Sequence, residues 1–97
     1  MPTIYGKITQ DDIDRGIKCM CTTCPLALSI NRHLNPLRFI AVGLRRVSIY
    51  VGVRSVYIPL PRKMTSWVAR FDSGKPVRPI TWSITGDQVD KYFKGGV

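Results

Sequence analysis

The sequence predicts an α+β domain: a small, mainly antiparallel sheet of about four to five strands, with two or three short helices packed on one face. Three observations predict it. Segments rich in Val, Ile and Tyr fill the centre of the chain, and Val47, Ile49 and Val51 alternate there with Ser48 and Tyr50, the period of a half-buried strand. Gly43 and Gly52 separate neighbouring segments at turn positions, so the centre reads as a meander. Behind it, Met64, Trp67, Val68 and Phe71 fall at i, i+3, i+4 and i+7, one stripe of a helix. At 97 residues the chain has room for one core, so residues 1–97 are expected to form one domain.

Each element has a local reason. Residues 3–8 (T-I-Y-G-K-I) are β-branched and aromatic, a first strand weakened by Gly6. Thr9 can cap a short helix over 10–15, with Asp11, Asp12 and Asp14 near its positive end and Gly16 as the left-handed terminator. Pro25 suits the first position of a second helix, where its missing N–H is no loss. Thr23 or Cys24 caps that helix; Leu26, Ala27, Ile30 and Leu34 form its apolar face, and Asn35-Pro36 stops it. Strands follow over 38–42, 47–51 and 53–60. Pro61 starts the third helix and Gly74 ends it. Residues 77–84 read as a last strand, with Pro79 arguing for an edge. A short amphipathic tail over 89–93 completes the order β-α-α-β-β-β-α-β. No internal repeat or low-complexity run interrupts it.

No stretch reaches the roughly 18 apolar residues of a membrane-spanning helix. The start, Met1-Pro2-Thr3-Ile4-Tyr5, lacks the basic and apolar runs of a signal peptide, so the protein is expected in the cytoplasm. Three cysteines within six residues, Cys19, Cys21 and Cys24, are no framework for stapling distant segments.

Charge placement is more informative than its total of +9. Residues 38–78 hold nine Lys and Arg (Arg38, Arg45, Arg46, Arg54, Arg62, Lys63, Arg70, Lys75 and Arg78) against one acid, Asp72; the flanks are nearly neutral. Such asymmetry points to a basic face for an anionic partner, nucleic acid or an acidic protein surface. The plainer alternative is positive charge that keeps a small domain soluble.

The sharpest local motif is Cys19-x-Cys21-x-x-Cys24 with His33 nine residues on. Three Cys and one His can ligate zinc. However, a helix from Cys24 to His33 separates those two by about 13 Å along its axis, too far for one ion. A redox reading of Cys21-Thr22-Thr23-Cys24 lacks the preceding strand of a βαβ unit. The cysteines are therefore expected to be reduced thiols, with Cys24 a small buried residue at the helix start and no cofactor required. With one histidine, no nucleophile, base and orienting acid can be assembled, and the aspartates match a charged helical first turn. There is no glycine-rich phosphate loop. Catalysis is not expected.

Aromatic residues lie near the basic ones: Phe39, Tyr50, Tyr57, Trp67 and Trp82. Single-stranded nucleic acid is held by stacking on such rings inside a positive groove. Trp67 and Phe71 have core spacing, and Trp82 shares a face with Ile80 and Ile84, which leaves Tyr50 and Tyr57 as the rings expected outside.

I-T-Q-D-D-I-D-R-G at 8–16, C-x-x-C-P-x-A at 21–27 and R-F-D-S-G-K-P-V-R-P-I at 70–80 together resemble a group of small tailed-bacteriophage proteins. The resemblance implies a phage product working in a bacterial host cytoplasm. It carries no established activity, so no residue role comes with it. The basic middle, L-R-R-V-S-I-Y-V-G-V-R-S-V, and the tail after Ile84 depart from the group's pattern.

Two binding functions follow. In the favoured one, the protein blocks a host protein or ribonucleoprotein, for example a CRISPR effector, through an acidic surface or nucleic-acid channel. In the alternative, it binds DNA or RNA phosphates directly. In both, the expected contacts are Arg45, Arg46, Tyr50, Arg54, Tyr57, Arg62, Lys63 and Arg70.

Overall fold

A computed structural model describes residues 3–34, 39–43 and 45–86, together with Val89, Tyr92 and Phe93. The order is β1 (Thr3–Ile8), α1 (Gln10–Arg15), α2 (Pro25–Asn31), β2 (Phe39–Val42), β3 (Arg46–Val51), β4 (Arg54–Pro59), α3 (Arg62–Asp72) and β5 (Ile80–Thr85). All strand pairs are antiparallel, and the class is α+β as expected.

The five strands do not form one sheet. They divide into a pair, β1–β5, and a meander in the order β2-β3-β4. The reason is visible in the core. Ile4, Ile8, Trp82 and Ile84 from the pair and Ile40, Val42, Val47, Ile49 and Ile58 from the meander join one hydrophobic cluster. Helix α2 packs against both β1 and β2, so the helices are not confined to one face of one sheet. Helix α3 adds Met64, Trp67, Val68 and Phe71, the whole expected stripe.

Local chemistry explains most boundaries. Thr9 and Asp12 form a reciprocal capping box at the start of α1. The Cys24 side chain caps α2, its sulfur accepting the Ala27 N–H at 3.4 Å, and Pro25 takes the first helical position. The β3–β4 turn places Gly52 at φ +62, a left-handed value that costs a glycine little. Pro61 proves to be the N-cap of α3, one residue earlier than expected, and Gly74 follows the helix at φ +77.

Three expectations are corrected. Gly16 is extended (φ −66, ψ 150) rather than left-handed. Its role is close approach: a Cβ there would lie about 2.5 Å from the Pro25 ring carbons. Helix α2 ends at Asn31, and Leu34 is buried beyond it in an antiparallel bridge to Phe93. The last strand begins at Ile80, where pairing with Ile8 starts, because residues 77–79 have no strand partner. The turn expected at Asn35-Pro36, and Arg38 with it, lie outside the described residues, as does most of the tail; Val89 and Phe93 from that tail are buried in the core.

Among the described residues no helix is long and apolar enough to cross a membrane.

Candidate functional site

The register of the meander decides which side chains share its outer face. Inward positions alternate with outward ones along each strand. Ile40, Val42, Val47, Ile49 and Ile58 face the core. Their neighbours therefore face out, in three rows across the strands. Phe39, Tyr50 and Ser55 form the first row; Ala41, Ser48 and Tyr57 the second; Arg46 and Pro59 the third. Phe39 is 67% exposed, Tyr50 42% and Tyr57 51%, so three rings stand in solvent on one sheet face. Tyr5, the other exposed tyrosine or phenylalanine ring among the described residues, lies on β1 opposite Ser83, apart from these three, and borders a cavity with Lys63.

Arg46 lies over the Tyr57 ring, its guanidinium carbon 3.9 Å from the ring centroid. That contact is a cation–π stack, and it fixes a planar cation beside the rings. Leu60 donates its N–H to the Arg45 carbonyl at 2.9 Å, and Arg46 pairs with Pro59. Helix α3 starts at Arg62, three residues past Pro59. The chain path thus brings Arg45, Arg46 and Arg62 to one end of the ring-bearing sheet, whereas Lys63 borders a cavity with Tyr5 and Ser83 of β1–β5.

Arg54 is separate. It pairs with Val51 at the hairpin tip, five residues along β3 from Arg46, or about 17 Å. Arg70 is also separate: it sits in the last turn of α3, about 12 Å along the axis from Arg62, and donates to the Pro76 carbonyl at 3.1 Å. Five of the eight expected contacts are therefore grouped, and Lys63, Arg54 and Arg70 are not. Phe39 was missed as a contact. Its signal was present, because a residue alternating with buried Ile40 and Val42 must face outward.

None of these cations forms an ion pair among the described residues. The two ion pairs among the described residues are Arg15–Asp11 and Arg32–Asp12. Arg32 holds Asp12 with both guanidinium nitrogens, the Nη2 contact at 2.7 Å. Burial alone raises the pKa of the Asp12 carboxyl, but hydrogen bonds from Arg32 and Thr9 outweigh it and hold the group below its usual range. The remaining acid of the basic region, Asp72, accepts the Cys19 N–H at 2.9 Å.

The cysteine cluster sits elsewhere. Cys19, Cys21 and Cys24 border a cavity of about 280 Å³ with Val68 and Asp72. Cys19 and Cys21 are exposed, and Cys24 is buried, with burial raising its thiol pKa. His33 lies away from them, edge-on to Trp82 with ring centroids 5.4 Å apart. Among the described residues no three His, Cys, Asp or Glu side chains are grouped to hold a metal.

Comparison with known proteins adds no assignment. No protein-family model, curated protein or solved structure matches the chain. The functional reading therefore rests on the geometry of the ring-bearing face.

Proposed function

We propose that the protein binds single-stranded nucleic acid across the outer face of β2-β3-β4, without catalysing a reaction. The observation that carries this reading is the exposure of Phe39, Tyr50 and Tyr57 on one sheet face with Arg46 among them. Exposed rings on a sheet offer stacking planes that every base can use, and the cations at one end offer phosphate contacts. The face is a poor match for intact duplex, whose bases are already stacked and whose grooves admit a helix or ribbon rather than a flat sheet.

The test is fluorescence anisotropy of labelled single- and double-stranded oligonucleotides over a salt series. Replacement of one ring by alanine is expected to weaken single-strand binding about tenfold, within the range of one base stack. The logarithm of affinity is expected to fall with that of salt at a slope no steeper than about −2, because three grouped cations contribute roughly 0.7 each. Single-strand binding that ignores all three rings, or a preference for duplex, overturns the proposal.

A host protein with an acidic surface is the second reading. The same Tyr and Arg composition favours it, because these residue types dominate protein-binding hot spots. In the bacteriophage setting implied by the sequence resemblance, such a partner would be a defence or replication protein. This reading predicts no oligonucleotide binding at low salt. It also predicts capture of one host protein by the wild type that is lost on removing Tyr50 and Tyr57.

A further inference from the structure

Arg46 is not a bare surface charge. Its guanidinium already covers one face of the Tyr57 ring at 3.9 Å, and the Tyr57 hydroxyl lies 3.4 Å from that of Ser55. On that face of the ring, an arriving base meets the guanidinium before it meets the phenol. Phe39 and Tyr50, directly opposite each other across β2–β3, are exposed and carry no such cover among the described residues. Their row and the Arg46 row are four residues apart along β3, about 14 Å.

We infer that Arg46 is a stacking group in its own right. Resting on the nucleic-acid reading above, one base of the single strand lies on the outer face of the guanidinium and extends the Tyr57–Arg46 stack to three layers. The Phe39–Tyr50 pair takes another base of the same strand. Planarity is the property required. A guanidinium is flat and weakly hydrated and stacks on aromatic faces, whereas a lysine ammonium is a strongly hydrated point charge. Arg46 therefore binds the base through its plane in addition to attracting the backbone through its charge.

The test compares Arg46→Lys and Arg46→Ala with the wild type, using labelled oligothymidine and an abasic oligomer of the same length. Urea midpoints of the variants check that the fold is retained. Arg46→Lys is expected to lose about tenfold in affinity for oligothymidine with an unchanged salt slope, and to match the wild type on the abasic oligomer. Arg46→Ala is expected to lose at least as much on oligothymidine, and its slope to flatten by about 0.7. If Arg46→Lys binds oligothymidine as tightly as the wild type, Arg46 is reduced to a point charge; that result overturns the inference while leaving single-strand binding standing. Failure of the wild type to bind either oligomer removes the parent reading and this one together.

Discussion

Replacing Gly6 by alanine places a methyl group where the Trp82 indole lies. Gly6 and Trp82 are register partners in β1–β5, and a Cβ on Gly6 would overlap the six-membered ring of the indole. The indole has little room to yield. It is buried, its Nε1 donates to the Ser29 Oγ at 2.7 Å, Ser29 donates in turn to the Lys7 carbonyl at 2.8 Å, and His33 meets its edge. Overpacking of this kind costs about 1–3 kcal/mol, and a rigid, hydrogen-bonded ring puts Gly6→Ala near the upper end. The gain from replacing a strand glycine, about 0.5–1 kcal/mol, offsets part of it. The net loss is then about 2 kcal/mol, or a fall in Tm of roughly 8–16 °C for a domain of this size. Urea unfolding followed by circular dichroism measures it. A Gly6→Ala protein within about 0.5 kcal/mol of the wild type would refute the packing of the indole on the β1 backbone, since that is the scatter of neutral surface substitutions.

Three further outcomes are expected. The Asp12 carboxyl is held below its ordinary value of 3.8, so the native state binds fewer protons than the unfolded one as pH falls through that region, and stability is lost below about pH 4. Asp12→Asn should cost about 1–2 kcal/mol at neutral pH through the cap and the Arg32 contact, and acid titration of its stability should show a shallower fall than the wild type. Alkylation of the native protein should label Cys19 and Cys21 rapidly and Cys24 only on unfolding, as read by intact-mass spectrometry; early labelling of all three would contradict the burial of Cys24. Gly52→Ala should lower stability by about 1 kcal/mol, because φ +62 is strained for a residue with a Cβ, while a neutral result would place the hairpin tip in another turn.

The local elements were legible because local chemistry specifies them. Thr9 before three aspartates marks α1, Pro25 marks α2, and the Met64–Phe71 stripe marks α3; each begins within one residue of its expected start, although α2 ends at Asn31, short of Leu34. The division into two sheets was not legible. Alternation tells which residues of a strand face inward, and it reads alike in β1–β5 and in β2-β3-β4. Partner choice depends on contacts between Thr3–Ile8 and Ile80–Thr85, more than seventy residues apart. Gly16 misled for a related reason: a glycine after a helix signals a left-handed cap, but here the Pro25 ring, nine residues on, requires the missing side chain. The pairing of buried Asp12 with half-exposed Arg32 was also missed, since by sequence Asp12 is one of three equivalent first-turn acids.

In the site, Tyr50 and Tyr57 were expected outside and are outside. Their meeting with Phe39 needed the register, which turns three ring positions on three strands into one surface. The separation of Arg54 and Arg70 from the other cations likewise needed the hairpin length and the helix axis. A run of charge in sequence becomes a patch only where the chain doubles back, as it does at Arg46 and Pro59.

Photocrosslinking reads the contact surface most directly. An oligonucleotide carrying a photoreactive uracil is bound to the wild-type protein and irradiated, and the modified residues are located by mass spectrometry. Adducts at Phe39, Tyr50 or Tyr57 are the predicted result. Adducts confined to Tyr5 or to the Cys19–Cys24 turn, or no adduct at any ring, would show that bases do not lie on the meander.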